Sequence, residues 1–278
     1  MKKLFTRALT GLVFVAVLVT AILIHPIAYF LLFGLITGIG MFEFYRLFGD
    51  SGPVKANRNL GILTGLFFYS ITCLFASGFV SAITFLFIIP ILSLIFIYEL
   101  YRKLENPFPN IGITLLGIIY VSVPFSLLIL NGFTSFSLVG YSAKLVLGFF
   151  FLQWASDTGA YLVGISIGKH PLFPRVSPKK SWEGFIGGVI ITQVIAIVIS
   201  LYFTVLSTFD WIVIATIISI FGVLGDLVES LLKRSLHVKD SGTLLPGHGG
   251  ILDRFDSVIF SAPIVFLYLH LKNAIILF

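Results

Sequence analysis

Charge is scarce in this chain, and so is cysteine. Of 278 residues only 11% are Asp, Glu, Lys or Arg, whereas 58% are hydrophobic and 30 are Phe. A soluble domain is nearer a quarter charged, so a single water-soluble core is excluded. The one cysteine, Cys73, lies in an apolar run, which rules out an intrachain disulfide and a thiolate metal cluster. It reads as a small buried hydrophobe. The histidines are scattered: His25 and His270 fall at apolar-run ends and His237 stands apart from other ligand-type histidines. The patterns HExxH, GxxxxGK[ST] and GxSxG are missing, which removes zinc-peptidase, P-loop and hydrolase-elbow chemistry. No linker, low-complexity tract or internal repeat is visible.

What the chain has instead is long apolar runs, with a mean hydropathy of +1.08. A membrane-crossing helix needs about 20 apolar residues. Runs near 8–24, 27–48, 60–77, 79–98, 111–131, 144–167, 185–206, 209–232 and 257–276 predict an all-α polytopic membrane protein with about nine transmembrane helices. The first run competes with a signal peptide, but His25-Pro26 is no small-residue cleavage site and a second run follows at once. Charge tests the count. With the N-terminus cytoplasmic and the C-terminus on the opposite side, 16 of the 18 Lys and Arg residues lie at the cytoplasmic face, leaving Lys144 and Lys272 opposite. The net charge of +6 then reflects topology and not nucleic-acid binding.

The two halves differ in content. Residues 1–140 offer ordinary loops, with Glu43, Tyr45-Arg46 and Tyr98-Glu99 at span ends, where the aromatic and basic residues read as interface markers. Pairs such as Gly61/Gly65, Gly164/Gly168 and Gly184/Gly188 suit close helix packing, within the chain or in a homodimer. Residues 141–278 hold the chemistry, above all the stretch 230–256, SLLKRSLHVKDSGTLLPGHGGILDRFD.

In that second half, Gln153, Asp157 and Thr158 interrupt an apolar segment. A carboxylate at membrane depth is costly and normally faces a cavity or partner, so a polar pocket wall and an ion pair are both open. The cluster Ser177-Pro178-Lys179-Lys180-Ser181-Trp182-Glu183-Gly184 combines bases with a helix-start pattern and suits phosphate. Asp226, Glu229 and Lys233 share one helix face at i, i+3, i+7. Glu229–Lys233 reads equally as an i, i+4 salt bridge. Asp253 and Asp256 repeat the i, i+3 spacing at the start of the last run, where acids also favour the helix dipole. Carboxylates hold hard cations through oxygen, and bases with backbone N–H groups at glycines hold phosphate. Such a metal–phosphate site needs no general-base motif, because an anionic phosphate is its own nucleophile.

In order and spacing, Ser230, Lys233-Arg234, Lys239-Asp240, Gly242, Pro246, His248-Gly249-Gly250 and Asp253-Arg254-x-Asp256 closely resemble the signature of the phosphatidate cytidylyltransferases. The resemblance extends to Asp157–Tyr161 and Ser177–Gly184; over the first half it rests on hydrophobic pattern alone. It implies transfer of CMP from CTP to phosphatidic acid, giving CDP-diacylglycerol and pyrophosphate, by an enzyme of the cytoplasmic membrane whose active site faces the cytoplasm. It implies Mg²⁺, alone or with a second cation, held by Asp226, Asp253 and Asp256. Lys233 and Arg254 join those acids as catalytic residues. Ser177, Lys179, Lys180, Arg234, Lys239, His248, Gly249, Gly250 and Asp157 become the substrate and phosphate contacts. CTP, phosphatidic acid and the bilayer are the partners; a homodimer stays open and nucleic acid is not expected. Two rivals predict different outcomes: a CTP-using polyprenol kinase would accept another lipid, and a cation-coupled transporter would carry ion flux without CTP.

Overall fold

A computed structural model describes residues 2–49, 53–135, 138–242, 244 and 249–276. The chain forms two compact units, Met1–Tyr141 with Leu236–Arg254, and Ser142–Ser235 with Phe255–Phe278. The expected division at residue 140 therefore carries an exception: residues 236–254, most of the signature stretch, cluster with the N-terminal helices.

In the first unit, α1 (Lys2–Ile24), α2 (Pro26–Phe48), α3 (Arg58–Ala76), α4 (Ile88–Arg102), α5 (Pro107–Gly117) and α6 (Val123–Leu130) follow one another through short connections. Pro26 sits in the first turn of α2, where its missing N–H costs nothing. Pro124 has the opposite effect: its ring cannot sit over a preceding α-helical turn, and Ile118–Ser122 widens into a π-turn just before it. Polar groups in this apolar bundle are satisfied within it, as a bilayer demands. Tyr29 donates to the Leu128 carbonyl at 2.8 Å, Tyr69 to that of Phe30 at 2.8 Å and Tyr45 to that of Thr114 at 2.6 Å. Tyr45 lies over Gly61 and Gly117, where any side chain would collide with its ring. Buried Glu99 accepts from Asn110 at 2.7 Å and pairs with Arg102 at 2.9 Å. Glu43 is also buried, at 4% exposure. Each acid lies inward because backbone or side-chain donors await it there.

The second unit holds α7 (Ala143–Ile167), a hairpin of β1 (Pro171–Phe173) and β2 (Ser177–Ser181), α8 (Trp182–Tyr202), α9 (Thr208–Ser235) and most of α10 (Leu252–Ile276). Helices α7 and α8 touch through their small residues: a Cβ on Gly184 would stand 3.1 Å from the Gly164 Cα, and one on Gly188 would stand 3.0 Å from the Ala160 Cβ. Here the glycine pairs serve packing inside the chain. The start of α9 is a capping box. Asp210 accepts from the Ser207 N–H at 3.0 Å while the Asp210 N–H donates to the Ser207 hydroxyl at 3.2 Å. Lys272 and Tyr268 of α10 also reach Asp210, at 2.5 and 2.7 Å.

All nine expected spans are helical, and the fold is that of an all-α, multi-pass integral membrane protein. Among the described residues, seven stretches are long and apolar enough to cross a bilayer. Of the other two, α1 is apolar over Leu9–Ile24 among the described residues, and α7 is interrupted by Gln153, Asp157 and Thr158.

Candidate active site

In the second unit the predicted residues converge on Asp256. The carboxylates of Asp226, Glu229 and Asp157 all lie within electrostatic reach of it. Gly225 makes the approach of α9 and α10 feasible, since a Cβ there would stand 2.5 Å from the backbone oxygen of Asp256. Asp226 is the next residue along, so its carboxylate is delivered to the same level. Such a gathering of like charges in an apolar bundle requires counter-charge, and two lysines are at hand. Lys180 reaches Asp226 at 2.5 Å, and Lys233 reaches the fully buried Glu229 at 2.7 Å. The i, i+4 pair expected at Glu229–Lys233 thus forms. Ser230 donates to Asp226 at 3.2 Å.

Asp157 is exposed along α7 and accepts from Gln153 at 3.3 Å at each oxygen. Gln153 is itself buried and accepts from Ser261 of α10 at 3.2 Å. A polar line therefore runs from Ser261 through Gln153 to Asp157.

The loop after α7 is a two-stranded hairpin, which the sequence reading took only as a loop and helix start. Adjacent residues of a strand point to opposite faces. Hence Lys180 is half-buried against Asp226, whereas Lys179 is exposed; Ser177 is partly buried at the strand's start. The helix-start reading does hold. Ser181 caps α8 by accepting from the Gly184 N–H at 3.1 Å. Glu183 accepts from the Lys169 and His170 N–H groups at 3.1 and 3.2 Å and pairs with the His170 ring at 2.5 Å, tying the hairpin's root to the helix.

In the first unit, one oxygen of Asp253 accepts three hydrogen bonds, from the Ser241 N–H and hydroxyl at 2.9 Å each and from the Gly250 N–H at 2.7 Å. Gly249 adopts φ +81°, where a side chain would be strained and would also press on Asp253. Glu43 of α2 meets the same segment, accepting from the Leu252 N–H at 3.0 Å. Its role was not legible at a span end, although a lone acid in an apolar run is itself a signal. Lys239, Asp240 and Arg254 are exposed, as is Arg234 at the end of α9 in the second unit. His248 lies outside the described residues.

Residues 5–272 match the cytidylyltransferase family. The chain belongs to that family. It is 40% identical over 182 residues to a phosphatidate cytidylyltransferase of Bacillus subtilis, covering 64% of this chain and 65% of that protein. It is 39% identical over 192 residues to one from Staphylococcus haemolyticus, covering 68% and 71%. A third, from Staphylococcus aureus strain COL, is 41% identical over 170 residues, covering 60% and 62%. The matched stretch therefore falls short of two thirds of the Bacillus subtilis and Staphylococcus aureus proteins.

For a cytidylyltransferase, the oxygen-rich set around Asp256 fits a hard divalent cation. Among the described residues no group of three or more His, Cys, Asp or Glu side chains is arranged to hold a metal ion. Mg²⁺ characteristically takes one or two carboxylates and completes its shell with water and substrate phosphate. An open acid pair with bases beside it matches that habit better than a preformed cage would.

Proposed function

We propose that this protein is a phosphatidate cytidylyltransferase, making CDP-diacylglycerol and pyrophosphate from CTP and phosphatidic acid at the cytoplasmic face of the cell membrane. The observation that carries the reading is the group Asp226–Lys180 with Asp256 in a chain of this family. Its alternating charges suit a triphosphate with a bound cation. The lipid's acyl chains stay in the bilayer while its phosphate meets a nucleotide arriving from water.

In this reading a phosphate oxygen of phosphatidic acid forms a bond to the α-phosphorus of CTP, and the bond from that phosphorus to the bridging oxygen of pyrophosphate breaks. No proton need be removed from the nucleophile, which is already an anion. The residues act by position and charge. Asp226 and Asp256 are the carboxylates that would hold Mg²⁺; Asp253 joins them by the resemblance alone. When bound, the ion neutralises charge building on the leaving pyrophosphate. Lys180 and Lys233, each already beside an acid, can exchange that partner for a phosphate oxygen. By the same resemblance Arg254, Arg234 and Lys239 supply further positive charge, with Gly249 and Gly250 beside them in the signature.

The test supplies purified protein in detergent with CTP, phosphatidic acid and Mg²⁺ and follows pyrophosphate and lipid-linked cytidine. Equal amounts of both are expected. CTP consumed only with a polyprenol would move the chain to kinase chemistry, and no CTP turnover with ion flux in liposomes would make it a transporter.

A further inference from the structure

We propose that Glu43, on α2, is a positioning residue for the signature segment, holding Ser241–Gly242 to Gly250–Leu252 so that the backbone at these residues is preformed for the nucleotide. The inference rests on the cytidylyltransferase reading above and adds to it a residue outside the signature.

The geometry lies wholly within the first unit. Glu43 is 4% exposed, and a buried carboxylate is retained at a cost that only well-placed donors offset. One of its oxygens accepts from the Leu252 N–H at 3.0 Å and lies 3.4 Å from the Ser241 hydroxyl. Leu252 opens α10, so this N–H is one that no turn of the helix itself can satisfy. Gly242 and Gly250 leave the room that the carboxylate occupies: a Cβ on Gly250 would stand 2.5 Å from it, and one on Gly242 would collide outright. From the other side Asp253 takes the Ser241 and Gly250 N–H groups. The Ser241 hydroxyl carries one proton and stands nearer Asp253, at 2.9 Å. Two carboxylates thus close the segment's ends, one drawn from the signature and one from α2. Packing alone does not call for an acid here, because an apolar side chain would fill the space without desolvating a charge. Aligning backbone donors does.

A preformed segment lowers the ordering cost of binding, so its loss should appear in nucleotide affinity first. Glu43→Gln keeps the volume, removes the charge and replaces one acceptor by a donor. In the full-length protein in detergent, the expected result is a KM for CTP raised about tenfold or more, with the KM for phosphatidic acid within about twofold and the thermal midpoint little changed. Hydrogen exchange should quicken at the amides of Ser241, Gly250 and Leu252 but not along α2. A folded variant with unchanged KM for CTP and unchanged exchange at those amides would overturn the proposal. If Glu43→Gln fails to fold, Glu43→Asp decides, since it keeps the charge but draws the carboxylate one methylene back from the Leu252 N–H; wild-type KM for CTP and wild-type exchange at Leu252 would overturn it equally. If the wild type makes no CDP-lipid, the cytidylyltransferase reading fails, while the exchange comparison still shows whether Glu43 holds the segment.

Discussion

Lys180 and Lys179 are neighbours in sequence but not in role: the Lys180 ammonium lies 2.5 Å from Asp226, while Lys179 is exposed on the other face of the same strand. The cause is the two-residue period of an extended chain. A Lys-Lys pair in a loop would have offered two interchangeable charges; in β2 only one can address the acids of α9.

The two lysines should therefore separate on substitution. Lys180→Met is expected to lower kcat/KM for CTP by about 10²–10³, the usual loss when a transition-state charge partner is removed. Lys179→Met should cost less than about tenfold, as an exposed charge acts mainly through screened attraction. Initial rates of pyrophosphate release for both variants check this. Equal losses would mean that Lys179 also reaches the substrate.

Gly225 sets how closely α9 and α10 approach beside the acids. Gly225→Ala places a methyl against the Asp256 backbone, which overpacking experience puts at about 1–3 kcal/mol of stability. Activity should fall further than stability, because Asp226 and Asp256 move apart with the helices. A thermal midpoint and a specific activity per folded molecule separate the two effects. Full activity at a lowered midpoint would show that the spacing of the acids is not critical.

Much of this is legible in the sequence. Nine helical runs follow from hydropathy; Asp226 and Glu229 stand out as acids sharing a face in an apolar run, and Asp256 by its spacing from Asp253 and its place in the signature. Helical spacing was enough to place Glu229 and Lys233 together. What escaped depended on partners distant in sequence. Glu43 and Gly250 lie some two hundred residues apart, and no local pattern says that one fits against the other. The β1–β2 hairpin escaped because Pro and Lys are poor strand formers; pairing of Pro171 with Ser181 and of Phe173 with Ser177 makes it. Gln153 was seen as an interruption, yet its meaning comes from Ser261 on another helix.

Asp210 offers a contrast on the same helix as Asp226. Sixteen residues separate them in sequence, about 24 Å along a helix. Asp210 is buried and fully engaged by Ser207, Tyr268 and Lys272, which marks it as a structural pin. Asp210→Ala is expected to destabilise the protein by about 3 kcal/mol, since it leaves Lys272 without its partner and removes a cap. Activity per folded molecule should stay near wild type. A variant that stays stable but loses turnover would instead connect this end of α9 with catalysis.

Asp256→Asn is the sharpest test of the cation site, because it removes one charge at nearly constant shape. Chelation of Mg²⁺ should abolish wild-type turnover, and re-addition should restore it. If Asp256 helps hold the ion, the variant should need about 10–100-fold more Mg²⁺ for half-maximal rate, the range seen when a metal site loses one supporting group. A lower rate at saturating Mg²⁺ is also expected, since the remaining carboxylates Asp226 and Glu229 already face Lys180 and Lys233. Asn keeps the shape of the side chain beside Asp226 and Glu229, so stability should hold while activity falls. A loss of activity without a loss of stability is what a binding site predicts and a purely structural carboxylate does not. An Asn variant with the wild-type Mg²⁺ requirement would take Asp256 out of the cation site and leave Asp226 as its principal ligand.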